Sequence, residues 1–242
     1  MEDLSPLLAQ IIISAIPVIF AITLHETAHG WVANRLGDPT ARLQGRLTLN
    51  PIPHIDPVQT ILFPIMTLIL SHGTFIFGGA KPVPVNFNNL RHPKRDMILV
   101  AAAGPGMNLL LAATAGCLFR ILTGIRPDIF GYIHSSRQYS ASSQLALAVM
   151  VPVALIFLAA VKWNILLAVF NMIPIPPLDG GRVMVGLLPH NLSRMLSNVE
   201  PFGILIVIAL IYLDPGGLLI HFLLLIMQSI SFLFIGVNSF LL

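Results

Sequence analysis

The chain has 242 residues, of which 56% are hydrophobic and only 10% charged, with a mean hydropathy of +0.87. No soluble domain has this composition, and the apolar runs use nearly all of the length, which excludes a separate soluble module of about 80 residues or more between them. The net charge of +3 and the pI near 9.4 reflect basic loops, and no nucleic-acid partner is indicated.

In chain order, the first apolar run predicts a helix from about Ser5 to Leu36, long enough to cross a hydrocarbon core of roughly 30 Å. No small-residue cleavage site precedes its end, so it reads as a retained span and not a signal peptide. Its C-terminal third carries His25-Glu26-Thr27-Ala28-His29, an HExxH pattern. Histidines four residues apart project about 40° apart on a helix, roughly one turn up, so both imidazoles can reach one tetrahedral Zn²⁺. The chemistry needs these types. Neutral imidazoles hold a metal without cancelling its charge, and Glu26 is placed to take a proton from the activated water. Ionisable groups on a lipid-crossing helix cost several kcal/mol unless paired or metal-bound, which favours a site over a chance match. Gly37, Asp38 and Pro39 end the helix, and Arg35, Arg42 and Arg46 make this end cytoplasmic by the positive-inside rule, with the N-terminus external.

Asp56 followed by Pro57 is a cap and a first-turn proline, starting an apolar helix to about Leu70. At about 14 residues it is short for a span and reads as re-entrant. Thr74 to Phe77, Gly78-Gly79 and Lys81 to Phe87 then predict a membrane-associated β-hairpin with a proline-bearing outer strand. Lys81, Arg91, Lys94 and Arg95 are again cytoplasmic in character. A second span from Asp96 to about Leu122 contains Gly104-Pro105-Gly106-Met107-Asn108, small residues that permit close helix packing, with one amide facing inward. Cys117, the only cysteine, lies in this run, so there is neither an intrachain disulfide nor a thiolate zinc site. Residues 123 to 143 read as a polar external loop.

A third span from about Gln144 to Met172 leads into Asn171 to Gly181, NMIPIPPLDGG, where three prolines stop the helix and leave Asp179 on a glycine-flanked turn. Such backbone at membrane depth is tolerated only where protein or a cavity surrounds it. A short helix with Arg182 follows. Two last apolar runs, about Pro201 to Leu213 and Leu218 to Leu241, form a helical hairpin around Asp214-Pro215-Gly216-Gly217. The fold class is therefore an all-α polytopic membrane protein with about five transmembrane helices, plus the re-entrant helix and the β-hairpin.

Parity tests whether Asp179 can be a third metal ligand. HExxH and the LDG turn both sit at the C-terminal ends of their helices, so the two helices must run in the same direction. With only the Asp96 to Leu122 helix crossing between them, they do. A crossing by 57 to 70 would carry Asp179 to the opposite face.

The chain resembles the site-2 proteases, a family of intramembrane zinc metalloproteases, in the compact form that lacks a PDZ or CBS domain. The likeness rests on HETAHG at 25 to 30, NPIPHIDP at 50 to 57, AAAGPGMN at 101 to 108 and FNMIPIPPLDGGRV at 170 to 183. It implies one zinc held by His25, His29 and Asp179, with Glu26 as general base. It further implies cleavage of single-pass membrane proteins within or near the bilayer, usually after a first cut elsewhere, by a single integral-membrane domain over 1–242. The catalytic core would span about 5–190 and the C-terminal hairpin about 200–241. The expected partners are those substrates and the lipid bilayer of the cell membrane, with a homo-oligomer left open.

Other polar residues carry two readings each. Asn108 and Asn171 are candidate donors to an oxyanion or to unwound substrate backbone, against interhelical packing or a helix-end cap. His54 is a candidate donor behind the site's ligands or a gate, against local structure beside Asp56. Lys162 is expected to snorkel, and Asn164, seven residues before Asn171, shares its face. The competing functions are a divalent-metal transporter, which would spread polar ligands along several helices, and a non-catalytic membrane scaffold.

Overall fold

The structure is a computed structural model, and it describes residues 5–70, 78–135, 144–214 and 217–236. The described residues form helices and contain no β-strand. Helix α1, Ser5–Leu36, has the expected bounds. Gly37 stops it with φ +117, a conformation that favours glycine. Asp38 N–H returns to Ala33 O and Arg91 N–H closes onto Leu36 O, so two of the last turn's carbonyls are satisfied. A short helix α2, Thr40–Leu43, follows.

Buried Asp38 is the knot that ties the end of α1 to the approach of the next span. Its carboxylate accepts from the Thr40 N–H and hydroxyl, from Asn86 N–H at 2.7 Å and from Asn89 Nδ2 at 2.9 Å. Burial by itself would raise this carboxyl. The bonds from the Thr40 and Asn89 side chains and from the Asn86 and Thr40 backbone outweigh it and hold the group below its ordinary value of 3.8.

The apolar helix expected from Pro57 is present as a wide π-type turn, Pro57–Leu62, running into α3, Phe63–Leu70. Asp56 caps it, accepting from Val58 N–H at 2.8 Å and Gln59 N–H at 2.9 Å. The returning chain closes on the same place. Gly79 N–H bonds Gln59 O, the Thr60 hydroxyl bonds Gly79 O, and Lys81 N–H bonds His54 O.

The β-hairpin expected over 74 to 87 is corrected for its second arm; its first arm, 74 to 77, lies outside the described residues. Residues 81–86 are irregular and end in a 3₁₀ turn, Phe87–Asn89. The alternation of valine and proline imitates an outer strand, but Pro82 and Pro84 have no N–H, and the remaining donors go to side chains and loops in place of a ladder. Lys81 gives its N–H to His54 O, Val83 to Glu26 Oε2 and Asn86 to Asp38 Oδ2.

Helix α4, Pro93–Ile125, exceeds its expected bounds at both ends, with Pro93 in its first turn and Asp96 Oδ2 accepting from His92 N–H. The expected polar loop of 123 to 143 is also corrected, because Asp128–Ser135 forms helix α5. Ile129 is fully buried, with Phe130, Tyr132 and Ile133 packed beside it, so a stripe at helical spacing docks this segment on the core. Residues 136–143 lie outside the described residues. Helix α6, Gln144–Asn171, precedes the proline turn. Then come α7, Asp179–Leu187, α8, His190–Ser197, α9, Gly203–Tyr212, and α10, Leu218–Ile235. Asp214 accepts from Leu219 and Ile220 N–H, capping α10 within the expected hairpin turn.

Among the described residues five helical stretches are long and apolar enough to cross a membrane: Ile12–Leu36, Pro93–Ile125, Ala148–Asn171, His190–Leu210 and Leu218–Ile235. The fourth is composite, running through α8 and α9 across a 3₁₀ turn, Glu200–Phe202. α4 lies at the centre, packed against α1, α6 and α7. Its Ala112, Ala115 and Phe119 form the main core with Val151, Ala154, Leu158, Val161 and Ile165 of α6 and with Met227 and Ile235 of α10. Gly116 admits α10, since a Cβ there would stand 2.9 Å from Phe234 O. Exposed apolar side chains such as Ile12, Ile16, Leu110, Ile121, Leu205 and Phe232 cover the outside, which suits lipid and not water.

Candidate metal centre

The helical spacing of α1 places His25 and His29 one turn apart, both buried, with ring centroids 4.6 Å apart. Asp179 reaches them from the first residue of α7. The turn before it is tight: a Cβ on Gly180 would lie 2.3 Å from Met172 O, and one on Gly181 would lie 2.1 Å from Pro176 N. The two glycines after Asp179 therefore let α7 start against the proline turn, which aims the carboxylate back at α1. The third wall is backbone. A Cβ on Gly104 of α4 would stand 2.3 Å from His29 Nε2 and 2.6 Å from His25 Nε2.

Three ligand atoms converge in this space. His25 Nε2 and His29 Nε2 are 3.0 Å apart, and Asp179 Oδ2 lies 3.1 Å from the first and 3.4 Å from the second. His29 Nδ1 is 2.7 Å from Val100 O, a carbonyl that can only accept, so neutral His29 carries its proton on Nδ1 and has a lone pair on Nε2. Asp179 Oδ2 is buried without a hydrogen-bond donor. Lone pairs facing one another repel unless a cation sits among them. Atoms held ~2.0–2.1 Å from one tetrahedral zinc stand ~3.3–3.4 Å apart, close to the separations here. Two imidazoles and a carboxylate, with a fourth position for water, fit zinc in its catalytic form.

Glu26 is partly buried, and its Oε2 accepts from Val83 N–H at 2.7 Å. Because Pro82 and Pro84 flank it, Val83 carries the only N–H of that tripeptide, and it is spent on this carboxylate. Buried Arg46 holds the same segment, donating from Nη2 to Lys81 O at 2.8 Å.

His25, His29 and Asp179 are thus brought together, and Glu26 follows His25 on the same helix. Asn108 adjoins them, with Oδ1 on His25 Nδ1, while its Nδ2 bonds Ala21 O at 3.3 Å and Asn164 Oδ1 at 2.8 Å. Both of its amide hydrogens have acceptors inside the protein. Asn171 bonds back to Leu167 O at 3.0 Å in its own helix. His54 is buried and not joined to the histidine pair; its Nε2 lies 3.2 Å from Thr48 O, which also accepts from the Thr27 hydroxyl. Lys162 is exposed. Gly104, Val83 N–H and Val100 O are parts of the site that the sequence did not single out. For Gly104 the signal was present in Gly-Pro-Gly, but nothing there distinguishes Gly104 from Gly106.

The sequence model of peptidase family M50 matches residues 13–213. A Bacillus subtilis (strain 168) protein provisionally named zinc metalloprotease YwhC is 34% identical over 202 residues, covering 84% of this chain and 80% of the relative. The similarly named Rip2 of Mycolicibacterium smegmatis is 27% identical over 193 residues, 80% of this chain and 64% of that protein. Rip3 of Mycobacterium tuberculosis (strain H37Rv) is 28% identical over 170 residues, and the chain spans only 29% of its length. No solved structure matches the chain significantly.

Proposed function

The chain belongs to peptidase family M50, the site-2 protease family, and is a multi-pass membrane zinc metalloprotease; from that premise we propose that it hydrolyses peptide bonds of membrane-spanning proteins within or near the bilayer. The observation that carries this reading is the convergence of His25 Nε2, His29 Nε2 and Asp179 Oδ2 beside a carboxylate, Glu26, that is not one of the three. His25, His29 and Asp179 are the ligands in this reading, with one zinc per chain. Bound zinc supplies Lewis acidity, polarising a carbonyl and acidifying water. Val83 N–H fixes Glu26 Oε2, which leaves Oε1 to take the proton of the attacking water and return it to the leaving amine. Asn171, at the last residue of α6 with one amide N–H on Leu167 O, is the remaining candidate donor to substrate backbone or oxyanion.

The substrates are single-pass membrane proteins whose helix must unwind at the site. The catalytic core is about 5–190 and the C-terminal helical hairpin about 200–241, of which the described helix α10 packs against α6 and α4. The chain lies in the cell membrane with its N-terminus external and the metal centre nearer the cytoplasm, a placement supported by Arg35, Arg42, Arg46, Arg91, Lys94 and Arg95 around the site's end of the bundle. The 57–70 segment is re-entrant in this reading, which is supported by the hydrogen bonds from Gly79 N–H to Gln59 O and from the Thr60 hydroxyl to Gly79 O.

The test is metal content and cleavage measured together on protein purified in micelles. About one zinc per chain is expected, lost in His25→Ala and Asp179→Ala. Glu26→Gln should keep the zinc and lose peptide-bond cleavage of a co-reconstituted single-pass protein. Full zinc content in Asp179→Ala would sink the ligand set. A Glu26→Gln protein that moves metal across liposomes would favour a transporter.

A further inference from the structure

Behind the metal centre, away from Asp179, two primary amides stand in series. Asn108 on α4 is fully buried and Asn164 on α6 is 2% exposed. Amides in such a place cost free energy unless their donors and acceptors are matched, so the partners define which end of each amide is which. Asn164 Nδ2 lies 2.9 Å from Ala160 O, and Asn108 Nδ2 lies 3.3 Å from Ala21 O. A backbone carbonyl accepts and never donates, so each of these contacts requires the NH₂ end. The oxygen of Asn164 then faces the second hydrogen of Asn108 Nδ2, at 2.8 Å, and the oxygen of Asn108 faces His25 Nδ1. An oxygen can meet that nitrogen favourably only if the ring carries its proton there. The orientation of two amides, anchored on two helix carbonyls, thereby decides where the proton of His25 sits.

We propose that Asn164 and Asn108 form a positioning relay that holds His25 in its Nδ1–H tautomer, keeps the Nε2 lone pair directed at the metal position, and so sets the zinc affinity of the centre. The inference rests on the ligand reading given under Proposed function and assigns Asn108 a role other than oxyanion donor. His29 obtains the same tautomer from Val100 O. His25 is served by a side chain, so its support can be removed by substitution while that of His29 cannot. A neutral amide also suits a buried site better than the carboxylate often found behind metal-bound histidines, since it orients the ring without adding charge. The relay links α1, α4 and α6, the three helices that carry the site's surroundings.

The experiment reads zinc dissociation constants by competition with a chelator, in the full chain in micelles. Asn108→Leu, near in volume and without an acceptor, should weaken zinc binding by about 10–100-fold. Asn164→Leu should weaken it less, because Asn108 persists but is no longer held. The double variant should be no worse than Asn108→Leu alone, since the second residue acts only through the first. Losses that multiply in the double variant, or an Asn108→Leu affinity within about two-fold of the parent, overturn the relay. A readout that needs no substitution is the ¹⁵N spectrum of histidine-labelled parent without metal, where neutral His25 should be protonated at Nδ1; protonation at Nε2 overturns the proposal even if the variants do not fold. His25→Ala separates the two levels. If it keeps zinc, the ligand reading itself fails. If it loses zinc while Asn108→Leu does not, only the relay fails.

Discussion

At the scale of single residues, the candidate metal centre depends on one missing methyl group. Gly104 faces both imidazoles so closely that any Cβ would overlap them, whereas a Cβ on Gly106 meets nothing within 4 Å. Gly104→Ala must push His25 and His29 off their positions or part α4 from α1, at a cost of about 1–3 kcal/mol. The expected outcome is zinc content well below one per chain and a lower melting temperature. Gly106→Ala, two residues along the same helix, should leave both unchanged or slightly improve stability through helix propensity. Equal zinc content in the two variants would show that the wall behind the histidines can yield. In the sequence the whole Gly-Pro-Gly stretch reads as generic helix packing, because which glycine faces the site depends on the rotation of α4 against α1.

At the scale of elements, the end of α1 and the start of α4 are held together through Asp38. The donors gathered on this carboxylate favour its charged form, so its folded pKa lies below the ordinary 3.8. A lowered carboxylate contributes stability that is fully present above the unfolded value and is lost as pH falls through the folded one. Asp38→Asn should therefore cost about 1.5–3 kcal/mol near neutral pH, since backbone N–H groups of Thr40 and Asn86 lose an anionic acceptor. Thermal melts of both proteins in the same micelle should show a constant gap from neutral pH down to mildly acid conditions, closing only below the ordinary carboxylate value. A gap that widens on acidification would show that another group dominates. The same loop explains the missing strand at 81–86. Its donors serve Glu26, Asp38 and His54, so proline spacing that imitates a sheet edge builds a strap across the site.

At the scale of the whole molecule, α1 carries the histidines toward its C-terminal end and Asp179 opens α7 just past the C-terminal end of α6, meeting them at 3.1 and 3.4 Å. If α4 is the one span between them, as proposed, the two helices run the same way. Single cysteines at Asn88 and Asp128, both exposed and at opposite ends of α4, should accordingly react with impermeant label from opposite sides of the membrane. Cys117, the only native cysteine, is exposed and has to be replaced first. Labelling of both positions from one side would break the topology, and with it the parity that brings Asp179 to the metal.

The sequence by itself determined the membrane class, the five apolar stretches, the cap at Asp56 and, through the motif likeness, the candidate set His25, Glu26, His29 and Asp179. The first three and the histidine pair rest on local chemistry: hydropathy over a span's length, a carboxylate before a first-turn proline, and i to i+4 spacing on one helix; Asp179 rests on the motif likeness and on the parity of the crossings. What surrounds those four residues was decided by tertiary structure alone. Gly104 as a wall, Val83 N–H on Glu26, the Asn164–Asn108 pair behind His25 and the docking of α5 all join residues far apart in the chain. The reason is geometric. Hydropathy and spacing specify which face of a helix is polar or small, but the rotation and depth at which one helix meets another come from packing among all of them.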